Sequence, residues 1–477
     1  MEEIRRQWLE TVERYRLSAK RPDDESYWCR RLDTVSADEL HAIHSEKLRV
    51  AVGYVYEAIP FYRRKFDRIG LEPGDIRSVD DLARIPVTTK QEMMEPEAKG
   101  RPAKADYTAV DDETWKERGW QLFATSGSTA EPRVFRYTGF DRAVWSWTNA
   151  RAMWAMGFRP GRDVALLAFG YGPHVWLWGV HYGLNLMGIP IVSAGGLDSR
   201  TRVRFIERYR PTILACTPSY ALYLGGLMRE MGLDPAQSSV RFLFVAGEPG
   251  YGVPATRRRL EELWKAEVAE FYGCTEAAPS AGGYTCAAAM ARKQGPAETH
   301  LMADTHIWET VDPSTLAPVP AGRRGLSLVT NLCSEASPQL RFLVGDFTTL
   351  ALDTCDCGRT HPRAIGGFIG RADDMLNIRG VTIFPSAIED AVRRVPGSGE
   401  EFQIVLSRER ELDRIKVVVE PRPELASQSH PELARRVESE IVASCELRME
   451  VEVVPHGTLP RTEFKAKRVK DLRAGPY

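Results

Sequence analysis

The chain has 477 residues, 64 of them basic and 65 acidic, for a formal net charge of -1. That balance gives no global attraction to nucleic acid or to an anionic membrane, so any phosphate-binding charge has to be local. The length exceeds what one hydrophobic core supports, and two or more domains are expected.

From the N-terminus, residues 1–10 combine dense charge with helical spacing of Ile4, Trp8 and Leu9. They read as an amphipathic helix rather than a secretory leader, which sets a cytoplasmic expectation. Further on, Phe123 and Ala124 close a short apolar stretch before Thr125, Ser126, Gly127, Ser128 and Thr129. Four hydroxyls and exposed backbone N–H groups around one glycine make an anion cradle; an ordinary surface loop is the alternative. The Walker spacing is absent.

Residues 164–197 contain no Lys, Arg, Asp or Glu, a run long enough to suggest a membrane span. Gly170, Gly172, Pro173, Gly179, Gly183, Gly188 and Pro190 interrupt it, and a buried strand, loop, helix and strand is expected instead. Strands are expected over 164–169, 189–193, 212–216 and 242–245, with helices around 179–186, 199–209 and 220–231. Such alternation predicts an α/β fold with substantially parallel sheets, whose strand-end loops are the natural ligand site. Beyond Asp373 the texture changes to a helix over 386–395, strands over 401–406 and 414–419, a helix over 431–444 and alternation over 448–454. This predicts a small C-terminal α+β domain.

Several segments stand in a recognisable order: Phe271-Tyr272-Gly273-Cys274-Thr275-Glu276, then Leu340-Arg341-Phe342-Leu343-Val344-Gly345-Asp346, then the run from Gly370 to Glu389, then Leu459-Pro460-Arg461-Thr462-Glu463-Phe464-Lys465. Together with Thr217-Pro218-Ser219-Tyr220 and Ala246-Gly247-Glu248-Pro249 they resemble the adenylate-forming superfamily, and most closely the phenylacetate-CoA ligases.

The resemblance implies ATP-dependent conversion of an aryl or arylacetic acid to an acyl-adenylate, then transfer to CoA with release of AMP. It places the β and γ phosphates on Thr125 to Thr129, and the rest of the nucleotide beside Gly247, Glu248, Pro249, Tyr272, Gly273 and Thr275. Glu276 would bind Mg²⁺, a hard cation that takes oxygen ligands. Asp346 would accept the ribose hydroxyls, and Arg371 would pair with ribose or phosphate oxygens. Lys465 would stabilise charge developing during adenylation. Taken singly, Glu276 and Asp346 read as turn carboxylates, Arg371 as an interdomain ion-pair partner and Lys465 as part of a solvated basic face.

By the same resemblance, Tyr171, His174, Trp178 and His181, with Tyr220 and Ala246, line the acid pocket; aromatic core is the alternative. Spacing and resemblance together divide the chain into an adenylation domain, 1–372, and a mobile domain, 373–477, with Asp373 at the hinge.

Eight cysteines without an export signal argue against disulfides. Cys355-Asp356-Cys357-Gly358 is a metal-ligand pattern, and some relatives in the resembled family carry zinc in this region. Cys286 and His300 complete a Cys₃His set, with Cys274, Cys333, His306 and His361 as competing ligands and free thiols as the alternative.

Two departures stand out: Ala130-Glu131 occupy the place of a usual Gly-Lys, and Phe464 replaces a usual glycine. Two rival functions remain. The acyl group goes to an amine or carrier protein, or the chain is an inactive nucleotide-binding regulator. The expected partners are a small aromatic acid and an acyl acceptor, with neither nucleic acid nor membrane, and a homodimer is left open.

Overall fold

The computed structural model describes residues 2–17, 20–94, 106–124, 133–172, 175–279, 282–368, 370–378, 381–409, 412–461 and 467–473. Thr125 to Thr129, His174 and Lys465 therefore lie outside the described residues.

The strands are β1 (Gly119–Ala124), β2 (Val134–Thr138), β3 (Ala165–Leu167), β4 (Ile191–Ser193), β5 (Ile213–Cys216), β6 (Phe242–Val245), β7 (Glu267–Tyr272), β8 (Gly283–Tyr284), β9 (Glu298–Leu301), β10 (His306–Val311), β11 (Arg324–Asn331), β12 (Phe342–Ala351) and β13 (Arg363–Ile365). The small C-terminal unit adds β14 (Leu376–Ile378), β15 (Val381–Ile383), β16 (Ser398–Glu409), β17 (Leu412–Pro421), β18 (Glu450–Val453) and β19 (Val469–Asp471).

Eleven strands form one sheet in the order β10-β11-β12-β13-β9-β8-β7-β6-β5-β3-β4. Its β4-β3-β5-β6-β7 half is parallel. The parallel strands are short apolar runs flanked by helices, as burial on both faces requires; β5 is buried throughout. The sheet is more mixed than the strand–helix alternation predicts, because β8 to β13 pair antiparallel. Their segments have no long intervening helix, and hairpin-like connections force antiparallel neighbours.

The charge-free run is β3, the helix Val175–Met187 and β4. Gly179 and Gly183 do not break that helix. They sit where it crosses the helix Gly139–Ala155: a Cβ on Gly179 would fall 2.5 Å from Trp145 Nε1, and one on Gly183 would fall 2.4 Å from Met153 Cε. No helix among the described residues is long and apolar enough to cross a membrane.

In the C-terminal unit the sheet order is β18-β17-β16-β19. The helices Pro385–Arg394 and His430–Cys445 pack with this sheet around a core of their own, including Ile388, Val392, Ile404, Val417, Val437 and Ile441. Burial of each such side chain stabilises by about 1.5–3 kcal/mol.

This unit docks on the helix Pro254–Trp264. Asp390 accepts from Ala255 N–H at 2.9 Å, Glu389 from Thr256 Oγ1 at 3.0 Å, and Arg259 donates to the Arg393 and Gly399 carbonyls at 3.0 and 2.9 Å. A carboxylate at the first turn of a helix also meets the positive end of its dipole.

Candidate active site and metal centre

The parallel strands deliver the candidate nucleotide residues to one edge of the sheet. Thr217 caps the helix after β5, Gly247-Glu248-Pro249 follow β6, and Tyr272 ends β7 with Glu276 four residues on. Open α/β sheets bind ligands at this carboxyl edge.

Glu248 accepts from Ser219 N–H and Oγ at 3.3 and 2.9 Å, which ties the β5 and β6 loops together. Gly247, at φ +87°, takes the left-handed turn that a side chain disfavours. The Tyr272 hydroxyl donates to Asp346 Oδ2 at 2.5 Å, joining the end of β7 to β12. Asp346 also forms a backbone bridge to Arg371, so both enter the same corner. Burial and the Asp346 charge push the Tyr272 phenol well above its usual range. Its ring stacks on Phe368 with centroids 3.3 Å apart.

The turn carrying Glu276 is fixed from behind. The Ala277 carbonyl accepts from Asn331 Nδ2 and His306 Nε2, at 2.9 and 2.7 Å, and the Tyr137 hydroxyl donates to the Thr275 carbonyl at 3.1 Å. Burial lowers His306 to about 4, so it is neutral and acts as a strut. Glu276 is 4 % exposed and pairs with Arg133 at 2.5 Å. Motif reading passed over Arg133, because no short pattern joins it to its partner.

Two described residues flank the stretch around Lys465. Arg461 pairs with the buried Glu420 at 2.7 Å, and Arg468 with Glu401 at 2.5 Å.

Tyr171, Trp178 and His181 do come together. The Tyr171 hydroxyl hydrogen-bonds His181 Nδ1 at 3.0 Å, and its ring meets Trp178 edge-on at 5.0 Å. Burial pushes His181 below its ordinary value. Tyr182, which motif reading left out, stacks on Trp178 and donates to Gln121 at 3.0 Å. Tyr220 is buried, with its hydroxyl engaged by Ser199 and Arg202 at 2.9 and 2.8 Å. Ala246, also buried, follows β6.

On the antiparallel half, Cys286, His300, Cys355 and Cys357 place their ligand atoms within 4.8 Å of one another. Cys286 Sγ lies 3.9 Å from Cys355 Sγ, and Cys357 Sγ lies 3.5 Å from His300 Nε2. Mutual hydrogen bonds drive Cys286 up and Cys357 down. Three thiols and an imidazole at these separations suit a tetrahedral ion with bonds of about 2.0–2.3 Å.

Sheet pairing builds this cluster: His300 is on β9, between β8 and β13, and the Cys355 turn joins β12 to β13. Gly358 closes the turn at φ +80°, and a Cβ there would strike the Tyr27 hydroxyl at 2.3 Å. That hydroxyl donates to the Cys357 carbonyl at 2.8 Å. Arg359 adds a bond to the Ser26 carbonyl at 2.7 Å. The competing ligands lie elsewhere: Cys333 bonds Asn331, His306 supports the Glu276 turn, His361 donates to the Leu32 carbonyl, and Cys274 lies in the turn before Glu276.

Comparison with known proteins agrees with this arrangement. Residues 73–330 match the model for AMP-binding enzymes, and residues 380–473 match the AMP-binding enzyme C-terminal domain. The phenylacetate-coenzyme A ligase of Thermus thermophilus is 33% identical over 93% of this chain and 98% of its own. A 2-hydroxyisobutyryl-CoA ligase in the postadenylation state, bound to R3-HIB-AMP, superposes with a TM-score of 0.87 at 31% identity, covering 95% of this chain and 94% of that one. The same enzyme in its thioesterification state, with 2-HIB-AMP and CoA, gives 0.69 at equal identity and coverage. The chain belongs to the phenylacetate-CoA ligase family of AMP-binding enzymes, AMP-forming ligases that join an acid to CoA through an acyl-adenylate.

Proposed function

We propose that this ligase activates an aromatic acid, aryl or arylacetic, in the pocket bounded by Tyr171, Trp178, His181 and Tyr182. The observation that carries the reading is the Tyr272–Asp346 hydrogen bond at the end of β7, four residues before Glu276, with Tyr272, Trp178 and Tyr182 packed against one hydrophobic cluster. Thr125 to Thr129 cradle the β and γ phosphates, with Gly247, Glu248, Pro249, Tyr272, Gly273 and Thr275 along the nucleotide. Asp346 holds the ribose and Arg371 its neighbouring oxygens. Glu276 binds Mg²⁺, which offsets phosphate charge. Lys465 approaches the α-phosphorus during attack, where an oriented ammonium stabilises the developing charge.

Residues 373–477 then swing about Asp373, withdrawing Lys465 and admitting the CoA thiol. The higher superposition score against the postadenylation arrangement than against the thioesterification one supports the docked unit as one end of that swing. Cys286, His300, Cys355 and Cys357 would hold a zinc ion, which would supply a structural crosslink rather than act on substrate.

A short hydroxy acid is the second reading. The similarity to 2-hydroxyisobutyryl-CoA ligase favours it, as does the Tyr171–His181 pair, a polar contact among aromatic rings that suits a hydroxyl. Acid-dependent ATP–pyrophosphate exchange across aromatic and short aliphatic acids, repeated with CoA, separates the two. Exchange confined to short hydroxy acids refutes the aromatic reading, and no exchange with any acid refutes both.

A further inference from the structure

The helix Ser199–Tyr209 leads from β4, at the rim of the large sheet, to β5. It sorts its arginines by face. Arg202 is buried with Val203 and Ile206; it donates to the Ala194 and Gly195 carbonyls, each at 3.0 Å, and to the Tyr220 hydroxyl at 2.8 Å. Arg200, Arg204 and Arg208 are exposed. Their four-residue spacing puts them in one row on the opposite side of the helix. Among the described residues no carboxylate pairs with any of the three, Glu207 of the same helix included. Like charges at that spacing destabilise a helix, so the row is unfavourable until an anion covers it. From Arg200 to Arg208 it spans about 12 Å along the axis.

The two ends of the row differ. At the near end, the turn before the helix abuts the aromatic cluster: a Cβ on Gly195 would fall 2.2 Å from the Phe169 carbonyl oxygen and 3.2 Å from Tyr171 Cδ2, and Arg202 ties that turn to the helix. At the far end Tyr209 is 47% exposed, its ring meeting Phe205 edge-on at 5.0 Å and the Arg208 guanidinium lying 5.7 Å from its centre.

We propose that Arg200, Arg204 and Arg208 bind the phosphates of CoA and that Tyr209 stacks on its adenine. The inference rests on the reading of the Tyr171 cluster as the acid pocket. CoA carries its thiol on a long pantetheine arm, with a diphosphate, a phosphorylated ribose and adenine at the other end. Thioester formation fixes the thiol at the acyl carbon, so the anionic end has to lie outward from the pocket along the surface. The row starts at the pocket's rim, runs outward and finishes on an exposed ring, which is the order in which arm, phosphates and base arrive. Guanidinium forks fit phosphate oxygens, and an aromatic face accepts a base by stacking. A polynucleotide needs a wider basic surface, which a chain of net charge -1 does not offer overall.

The test measures thioester formation by wild type, Arg204→Ala, Arg208→Ala and the double variant, with CoA and with pantetheine, which has the thiol arm and no phosphate. Each single variant is expected to raise KM for CoA by about two- to fivefold, the scale of an exposed ion pair, and the double variant by roughly tenfold if the two effects add. Rate at saturating CoA should hold, because binding lost equally from ground and transition states leaves kcat alone. KM for pantetheine should not move in any variant, and higher salt should raise KM for CoA in wild type more than in the double variant. Exposed positions tolerate alanine, and ATP–pyrophosphate exchange, which uses no CoA, checks that each variant is folded. An unchanged KM for CoA in the double variant, or an equal rise with pantetheine, overturns the proposal. Trp178→Ala with an unaltered KM for the acid would instead overturn the placement of the acid pocket beneath it, whatever the CoA measurements give.

Discussion

The Cys286–His300–Cys355–Cys357 cluster and the nucleotide corner face opposite requirements. In the cluster, the four ligand atoms already lie within 4.8 Å of one another, and Tyr27, Gly358 and Arg359 brace the turn from outside. In the nucleotide corner, the candidate acids are each held by another group of the chain: Glu276 by Arg133, Asp346 by Tyr272, Glu248 by Ser219. A structural metal site of the kind proposed for the cluster can be assembled once by sheet register. A site that binds and releases a triphosphate needs acids with a second partner, because a buried carboxylate left unpaired is costly.

The sharpest way to break this contrast is Lys465→Ala. It should reduce acid-dependent pyrophosphate release by about 10²–10³-fold, the scale for losing one oriented transition-state group, with ATP binding retained. Undiminished release removes Lys465 from the chemistry. Asp373→Pro restricts the proposed pivot and should cost thioester formation on the order of 10²-fold, as for a misplaced reacting group, while adenylation suffers less. Equal loss in both steps contradicts the hinge.

On the other side, Cys355→Ser should lower bound zinc from about one ion per chain to well below that, and lower the thermal midpoint by several degrees, because metal binding is coupled to folding. Adenylation below the new midpoint should survive. Wild-type protein without stoichiometric zinc disposes of the metal centre.

The smallest effect concerns pH. Burial raises Glu270 to about 7, so between its usual value near 4.5 and about 7 the folded state holds a proton that the unfolded state has lost. Stability contributed by this group is present below the unfolded value and declines as pH rises to about 7. Glu270→Gln should therefore gain relative to wild type over that window in chemical denaturation, and a pH-independent difference would contradict the assignment.

The order of motifs made legible the corner where these loops meet, because each contributing loop carries a short pattern directly after a strand. Half of the metal cluster was legible for the same reason: Cys355 and Cys357 are local, and Gly358 marks the turn. Cys286 and His300 were named as the other two ligands against Cys274, Cys333, His306 and His361, and the pairing of β8, β9 and β13 is what brings them to the cluster. Sequence spacing does not encode that register, nor the contact of Tyr27 with Cys357 across the chain. Glycines 179 and 183 were legible as interruptions of an apolar run, whereas their role as the surface on which two helices touch depends on which helix arrives. Arg133 was hidden because its ion pair is with Glu276, a residue of another strand's loop.

The docking of the C-terminal unit on Pro254–Trp264 has a temporal consequence. Asp390, Glu389, the Arg393 carbonyl and the Gly399 carbonyl hold that helix through charge-assisted and backbone bonds, and the proposed swing would have to surrender all of them together. In that proposed swing the grip of Arg259 and Asp390 would work as an escapement, setting how long the first half of the cycle lasts.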